Sequence, residues 1–185
     1  MCIRDRNVTI PKNKYDDLVQ IFNALRKLQE PILDNGVPDY TEKAMLIQYS
    51  DLKDLKIKLL SIDTSGWMVS NRVDYHLVKG EMVAFEFHHR TLKPWSRDPG
   101  FYSFRSGDAG ASMNVEHLMR PLYDIEVPLS KNKQDDIKTL LEIVPEIFSQ
   151  ARKNLTNGSY DLAELAIRNG KNEAEMFLRI ADDLA

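Results

Sequence analysis

Apolar side chains recur every three or four positions along most of the 185-residue chain. This spacing places them on one face of an α-helix, whereas a strand would alternate apolar and polar residues. The pattern predicts an all-α fold, an antiparallel arrangement of about seven helices with no sheet larger than two short strands. The clearest stripes belong to the first two helices: Tyr15, Leu18, Val19, Phe22, Leu25 and Leu28, then Met45, Tyr49, Leu52, Leu55, Leu59 and Ile62.

Prolines and short polar side chains mark the expected ends of these first helices. Pro11 suits the first turn of the first helix, and Pro31 follows its last turn. Residues 34–38 are expected to form a loop. Asp39 and Glu42 then resemble a capping box, which predicts the start of the second helix.

The third helix is expected to run from a cap at Ser70 to about Leu92. Gly80 lies in its middle and costs about 1 kcal/mol relative to alanine, so a close helix crossing is expected there. A wide apolar surface predicts burial on more than one side. It has two neighbouring faces: Val73, Leu77, Ala84, Phe87 and Thr91 on one, and Val78, Met82 and Phe85 on the other.

The last third of the chain returns to the helical period. Ser130 is expected to cap a helix, and Pro145 either kinks that helix or starts a new one at its first position. Asn157-Gly158 is expected to be a turn before the next helix. Asn169-Gly170 is expected to end that helix, and the last helix then begins near Asn172.

Residues 1–6 are expected to be foreign to the gene. The codons ATG-TGT-ATA-AGA-GAC-AGR encode this string and spell the end of a transposase adapter used for shotgun sequencing libraries. An ordinary polar N-terminus is the alternative. On the adapter interpretation residues 1–6 pack against nothing, and residues 7–185 are a gene segment truncated at both ends, because the last helix has no stop signal at Ala185.

Composition excludes several classes of protein. The formal net charge is −3 at pH 7 and the charges are interspersed, which argues against a nucleic-acid binder and against a polybasic membrane-binding segment. No apolar run reaches the roughly 18 residues of a transmembrane span. The only cysteine, Cys2, lies in the adapter-derived segment, so the remainder has neither a disulfide framework nor a cysteine metal site.

The histidines do not predict a metal site. His88 and His89 are adjacent and would project about 100° apart on a helix, whereas helical zinc ligands share a face. His76 and His117 complete the set of four, and no His-Glu-x-x-His motif is present. A pair at the surface or the core edge is therefore favoured over a pair of ligands.

Two other polar features also favour ordinary structure. Residues 106–112 are small and glycine-rich, but the preceding strand and the lysine of a phosphate-binding loop are missing. A loop whose Ser112 caps a short helix at residues 113–119 is favoured. The paired carboxylates at 135–136 and 182–183 suit exposed helix faces better than acid–base catalysis.

The string Trp95-x-Arg97-Asp98-Pro99-x-x-Tyr102 is the most specific in the chain. Pro99 moves Asp98 away from the helical region, and the two aromatic residues each combine a large apolar surface with one polar group. Arg97 could stack on a ring or bind a carboxylate. A structural corner in which Trp95 and Tyr102 are buried is favoured, and a position beside a substrate cleft is the alternative.

This string and two other stretches, taken in order, resemble the amino-terminal part of a bacterial family, the domain-of-unknown-function 885 family. Full-length members of that family resemble helical zinc metallopeptidases. The resemblance covers most of residues 15–185. The stretches that carry it are 71–77 with 89–90, then 95–102, then 143–148 with 151–155 and 163–167.

The resemblance implies that residues 7–185 are the amino-terminal helical lobe of a longer zinc-dependent peptidase-like hydrolase. The family's zinc signature, of the type His-Glu-Ala-x-Pro-Gly-His, lies downstream in full-length members, and nothing in this sequence matches it. No catalytic residue or metal ligand is therefore assigned, and Trp95, Arg97, Asp98, Pro99 and Tyr102 are family-motif residues without an assigned role.

The partners that the resemblance implies are the C-terminal part of the same protein, a peptide substrate, and zinc in the full-length protein. It also implies a bacterial protein, for which the cytoplasm, the periplasm and export all stay open. The alternative function is a stand-alone helical interaction module that binds a partner helix in an apolar groove.

Overall fold

A computed structural model describes residues 15–103 and 129–183. These residues are mostly helical, with one small antiparallel sheet of two strands. The expectations for residues 1–6, for the glycine-rich segment 106–112, for the helix at 113–119 and for His117 lie outside them. The helices are α1 (Tyr15–Gln29), α2 (Glu42–Leu60), α3 (Val69–Phe87), the single-turn α4 (Pro94–Arg97), α5 (Lys131–Glu142), α6 (Val144–Asn154) and α7 (Tyr160–Asp183).

A β-hairpin stands where the sequence predicts a loop. Strand β1 (Ile32–Asp34) pairs antiparallel with β2 (Val37–Asp39). Asn35 and Gly36 connect them with φ angles of 50° and 85°. Asn-Gly is the preferred pair for a two-residue turn that needs positive φ at both positions. The loop prediction was wrong because each strand has only three residues, too few for an alternating pattern to be recognised.

Two helix starts differ from the predicted positions. The N-cap of α2 is Thr41, whose hydroxyl accepts a hydrogen bond from the backbone N–H of Ala44 at 3.4 Å. Asp39 instead accepts from the N–H of Thr41 at 2.8 Å, so its carboxylate stabilises the turn before the helix. Helix α3 begins at Val69, before the predicted cap at Ser70.

Only one of the two apolar faces predicted for α3 is buried. Val78, Met82 and Phe85 belong to the core, whereas Val73, Leu77 and Phe87 are at least half exposed. The expected end of the helix also differs, because residues His88–Leu92 form a π-helical turn. Lys93 follows this turn in the left-handed region, with φ 44°.

Gly80 does not mark a close helix crossing. A Cβ atom built on Gly80 meets no atom of the described residues within 4 Å, and the position is exposed. The expectation of a crossing at this position was wrong. An exposed glycine inside a helix mainly costs conformational entropy, and alanine removes that cost.

We therefore expect Gly80→Ala to raise the free energy of unfolding by about 0.5–1 kcal/mol, measured by urea denaturation. Gly36→Ala is the matched control. Its φ of 85° is strained for any L side chain, so that variant should lose stability. If Gly80→Ala is neutral or destabilising, then something does cover this side of α3.

The C-terminal helices follow the predicted caps, with one exception. The Ser130 hydroxyl accepts from the N–H of Lys133 at 3.4 Å, and Pro145 lies in the first turn of a new helix, α6. Helix α7 runs without a break through Asn169-Gly170, so the predicted end there was wrong. Glycine is tolerated within a helix when packing continues in phase. The positions facing α6 keep helical spacing across this point: Ala163, Ile167, Gly170, Ala174 and Phe177.

The core lies between the first three helices and continues into the aromatic corner after α3. Helix α1 packs against α2 and α3, and α6 contacts β2, α4 and the turn at 99–102. None of the described helices combines the length and apolarity that crossing a membrane requires. The buried apolar residues include Leu18, Leu25, Leu52, Leu59, Met82, Phe85, Trp95, Phe101, Tyr102 and Ile147.

Candidate functional site

The motif residues form a tight corner between α3 and the C-terminal helices. Pro94 starts α4, and Asp98 separates it from a 3-10 turn at Pro99–Tyr102. The Asp98 carboxylate accepts the N–H of Gly100 at 2.8 Å, which caps that turn. Arg97 is exposed on the outer side of the corner. Asp98 and Pro99 therefore shape the backbone, while Arg97 faces solvent.

Trp95 and Tyr102 are buried, with 6% and 2% of their surface exposed, as the sequence predicts. The Tyr102 hydroxyl donates to the carbonyl oxygen of Trp95 at 2.7 Å and accepts from Asn154 Nδ2 at 3.0 Å. Asn154 Nδ2 also donates to the carbonyl oxygen of Tyr40 at 2.9 Å. Burial raises the pKa of Tyr102 to about 12, so the phenol stays protonated. This network joins the hairpin, the corner and the end of α6.

His89 is buried, whereas the sequence predicted a histidine pair at the surface or at the edge of the core. It is 5% exposed, and its ring stacks on Tyr49 with centroids 5.6 Å apart and 12° between planes. The Phe85 and Trp95 rings lie 5.0 and 5.2 Å away. The signal was present, because His89 continues the buried stripe of α3 four residues after Phe85. A histidine in phase with an apolar stripe belongs to the core side of the helix.

The His89 imidazole is neutral at physiological pH. Burial lowers its pKa to about 4, and electrostatic repulsion from the neighbouring His88 makes a smaller contribution in the same direction. Burial also lowers the pKa of His88, which is half-buried. His89 Nε2 has no hydrogen-bond partner among the described residues. A buried nitrogen without a partner is uncommon in folded proteins.

The described residues offer no set of ligands for zinc. Across residues 15–103 and 129–183, no three histidine, cysteine, aspartate or glutamate side chains come close enough to hold a metal ion. His76 is exposed and its ring lies against Tyr75, at 5.5 Å between centroids. A three-ligand catalytic zinc site therefore does not fit the residues described here.

A cleft of about 660 Å³ opens beside His89 and Trp95. We call it the polar cleft. One wall is α2, with Met45, Leu46 and Tyr49. The other side is formed by residues 89–96 and by the end of α6 with the turn after it. A volume of this size lies within the range of about 300–1,000 Å³ that is usual for sites of small ligands.

Hydrogen bonds fix the walls of the polar cleft relative to one another. The N–H of Asn157, in the turn after α6, donates to the carbonyl oxygen of Ser96 in α4 at 3.2 Å. Asn154, which also lines the cleft, holds Tyr102 and Tyr40 as described above. The cleft is thus bounded by packed helices and a cross-braced corner, which suits a largely pre-formed binding site.

Basic side chains outnumber acidic ones in this cleft. Among the described lining residues, Arg90, Lys93 and Lys153 are basic and Glu42 is acidic. Arg90 makes only a long contact to Glu86, 3.7 Å between Nη1 and Oε1. The stronger partner of Glu86 is Lys56, whose hydrogen bond lowers the pKa of that carboxyl. The four charged side chains that line the cleft within the described residues, three basic and one acidic, therefore have a formal net charge of +2.

A second depression, the apolar groove, lies between α6 and α7. It has a volume of about 710 Å³ and is lined by Val144, Phe148, Leu155, Ile167 and Phe177, among others. At its inner end the Ser103 hydroxyl is hydrogen-bonded to the buried Glu173 carboxylate. Residues 144–155 and 163–167 supply about half of the lining of this groove, and Pro99 and Tyr102 of the aromatic corner also line it.

Comparison with known proteins gives no further guide to the chemistry of either site. No protein-family model matches this chain, and no curated protein and no solved structure matches it.

Proposed function

We propose that the chain is the amino-terminal helical lobe of a larger, helical zinc-dependent peptidase-like hydrolase and that it helps to form the substrate cleft. The observation that supports this function is the position of the motif at residues 95–102. Trp95 lies in the wall of the polar cleft, while Tyr102 and Asn154 hold that wall in place. The motif thus forms a structural corner, and in this proposal the cleft that Trp95 lines is the substrate cleft.

The lobe contributes shape and binding, and the chemistry belongs elsewhere in the proposed protein. Zinc, when bound, would polarise the scissile carbonyl and lower the pKa of a coordinated water. The described residues do not provide its ligands, so no step through zinc is assigned to them. Their part is to position a peptide along a cleft whose walls are already fixed.

The isolated chain and the longer gene product should differ in hydrolysis. We expect fluorescein-labelled casein to be cleaved by the product of the extended reading frame, and this activity to be lost on chelation and restored by zinc. The 185-residue chain should show neither cleavage nor stoichiometric zinc binding by calorimetry. If the extended product hydrolyses casein equally well after chelation, or does not hydrolyse it at all, the proposed function is wrong.

Adjacent leucine and isoleucine residues on α2 provide a matched test of the cleft. Leu46 and Ile47 are both exposed, but only Leu46 lines the polar cleft. A glutamate at position 46 places a carboxylate inside the cleft, so Leu46→Glu should raise KM for casein several-fold in the extended product. Ile47→Glu should leave KM unchanged. Equal effects of the two variants would place the substrate elsewhere.

The alternative function, a stand-alone helical interaction module, is supported by the apolar groove. Its lining is apolar and helical on both sides, which suits a partner's amphipathic helix. The hydrolysis assay separates the two functions, because an interaction module has no metal-dependent activity in any longer product. A stop codon directly after Ala185 would also favour the module.

A further inference from the structure

We propose that the polar cleft binds a peptide through a carboxylate group, with an aromatic or large apolar side chain of the same peptide packed beside it. That the ligand is a peptide rests on the proposed function; that it carries a carboxylate beside an apolar group rests on the cleft itself. Two features of the described residues carry the inference: positive charge without an anionic partner, contributed by two different elements that line the cleft, and an aromatic wall in the same cleft.

The positive charge is available to a ligand. Lys93 and Lys153 both line the cleft, and neither ammonium group has an anionic partner within the described ranges. They come from different elements, since Lys93 follows the π-helical turn and Lys153 lies in the last turn of α6. Arg90 adds a third charge that is only loosely engaged by Glu86. Cationic side chains gathered in a concave site attract a carboxylate and orient it.

The apolar part of the ligand is matched by an aromatic wall. Tyr49, His89 and Trp95 line the cleft, and the His89 ring contacts both of the others. Because His89 is neutral, this wall is uncharged at neutral pH, and the positive charge of the cleft comes from its lysines and arginine. His89 Nε2 is one polar atom of this wall, and it has no hydrogen-bond partner among the described residues. Aromatic surfaces with a few placed polar groups are typical of small-ligand sites.

A carboxylate has two sources in a peptide, the C-terminus and an acidic side chain. Three N-acetylated probes separate them: Ac-Ala-Ala-Phe as the free acid, the same peptide as its amide, and Ac-Ala-Glu-Phe amide. Calorimetric titration of the 185-residue chain should show binding of the first or the third probe. The neutral amide should bind at least about tenfold more weakly than the better of these, which corresponds to about 1.4 kcal/mol.

Lysine variants test whether the cleft is the binding site. Because an exposed ion pair contributes only modestly to binding, Lys93→Gln and Lys153→Gln should each weaken binding of the preferred acid about threefold. The double variant should weaken it about tenfold, and added salt should reduce the affinity of the wild-type chain. Lys43→Gln, in the exposed first turn of α2 and outside the cleft, is the control and should bind normally. Thermal melting of each variant should match the wild type, because all three lysines are exposed.

The inference and the proposed function can fail separately. Binding of all three probes with equal affinity, no binding of any of them, or a double variant that binds as well as Lys43→Gln would overturn the inference. Preferential binding of an acid by the chain, with no hydrolysis by the extended product, would keep the inference and remove the enzyme. Zinc-dependent hydrolysis by the extended product, with a KM that the double lysine variant leaves unchanged, would keep the enzyme and remove the inference.

Discussion

Replacing Trp95 with alanine is expected to lower the free energy of unfolding by about 3–5 kcal/mol, the usual cost of truncating a buried aromatic side chain. Trp95 is 6% exposed, and its ring contacts His89. Its backbone carbonyl accepts the Tyr102 hydroxyl, so a collapse of the cavity would also disturb the corner. Chemical denaturation followed by circular dichroism measures the change.

Two control variants test whether the loss of stability in Trp95→Ala is specific to this buried ring or follows the loss of any aromatic side chain. Trp67 is half-buried, and its ring contacts Tyr15 edge-on at 5.8 Å, so Trp67→Ala should cost clearly less than Trp95→Ala. Tyr102→Phe removes only the hydroxyl and should cost about 1 kcal/mol. If Trp95→Ala retained full stability but lost peptide binding, the residue would be a recognition residue, and the structural role would be wrong.

The second large effect is a loss of stability in mild acid through His89. Its pKa is about 4 in the folded chain against an ordinary value of 6.5. The unfolded chain therefore binds more protons than the folded chain between these two values, and stability falls as pH decreases through that window. A pKa difference of this size corresponds to about 3 kcal/mol of the free energy of unfolding. This stability is fully present above pH 6.5 and is lost by about pH 4. Urea denaturation at a series of pH values measures this dependence.

Histidine variants assign this pH dependence. His89→Gln removes the titrating group, so its stability should vary much less across the window, even if it is lower at neutral pH. His76→Gln, at an exposed position of α3, should keep the wild-type profile. The pKa of His88 is also lowered, and it contributes in the same direction. The pKa of Glu86 is lowered from its ordinary 4.5, chiefly by the hydrogen bond to Lys56, so its contribution to stability is lost only below about pH 4.5, at the acidic end of this window. A wild-type profile in His89→Gln would show that His89 is charged in the folded chain.

The sequence by itself determined the helical character of the chain and much of its core. Apolar residues at helical spacing identified the buried face of α2, and Ser130 and Pro145 marked the starts of α5 and α6. The burial of Trp95 and Tyr102 was also predicted correctly. These features could be predicted because helix periodicity, capping and proline stereochemistry depend on residues within a few positions of one another.

The periodicity of apolar residues was not enough to predict the short strands or the continuity of α7. The hairpin was missed although Asn35-Gly36 carries a strong turn signal, because its strands are too short to alternate clearly. The break predicted at Gly170 was wrong because α7 keeps its packing face in phase across that glycine. Local propensity is a weak guide where tertiary contacts compensate for an unfavourable residue.

The polar cleft was decided only by the tertiary structure. Its corner depends on a hydrogen bond between Asn154 and Tyr102, which are 52 residues apart, and on another between Asn154 and Tyr40, which are 114 residues apart. Lys93 and Lys153 line one cleft only because α6 packs against the segment that follows α3. No local sequence pattern predicts that these two lysines line the same cleft, because this depends on how the helices pack in space. The sequence supplied the aromatic and basic residues, and the fold brought them to one site.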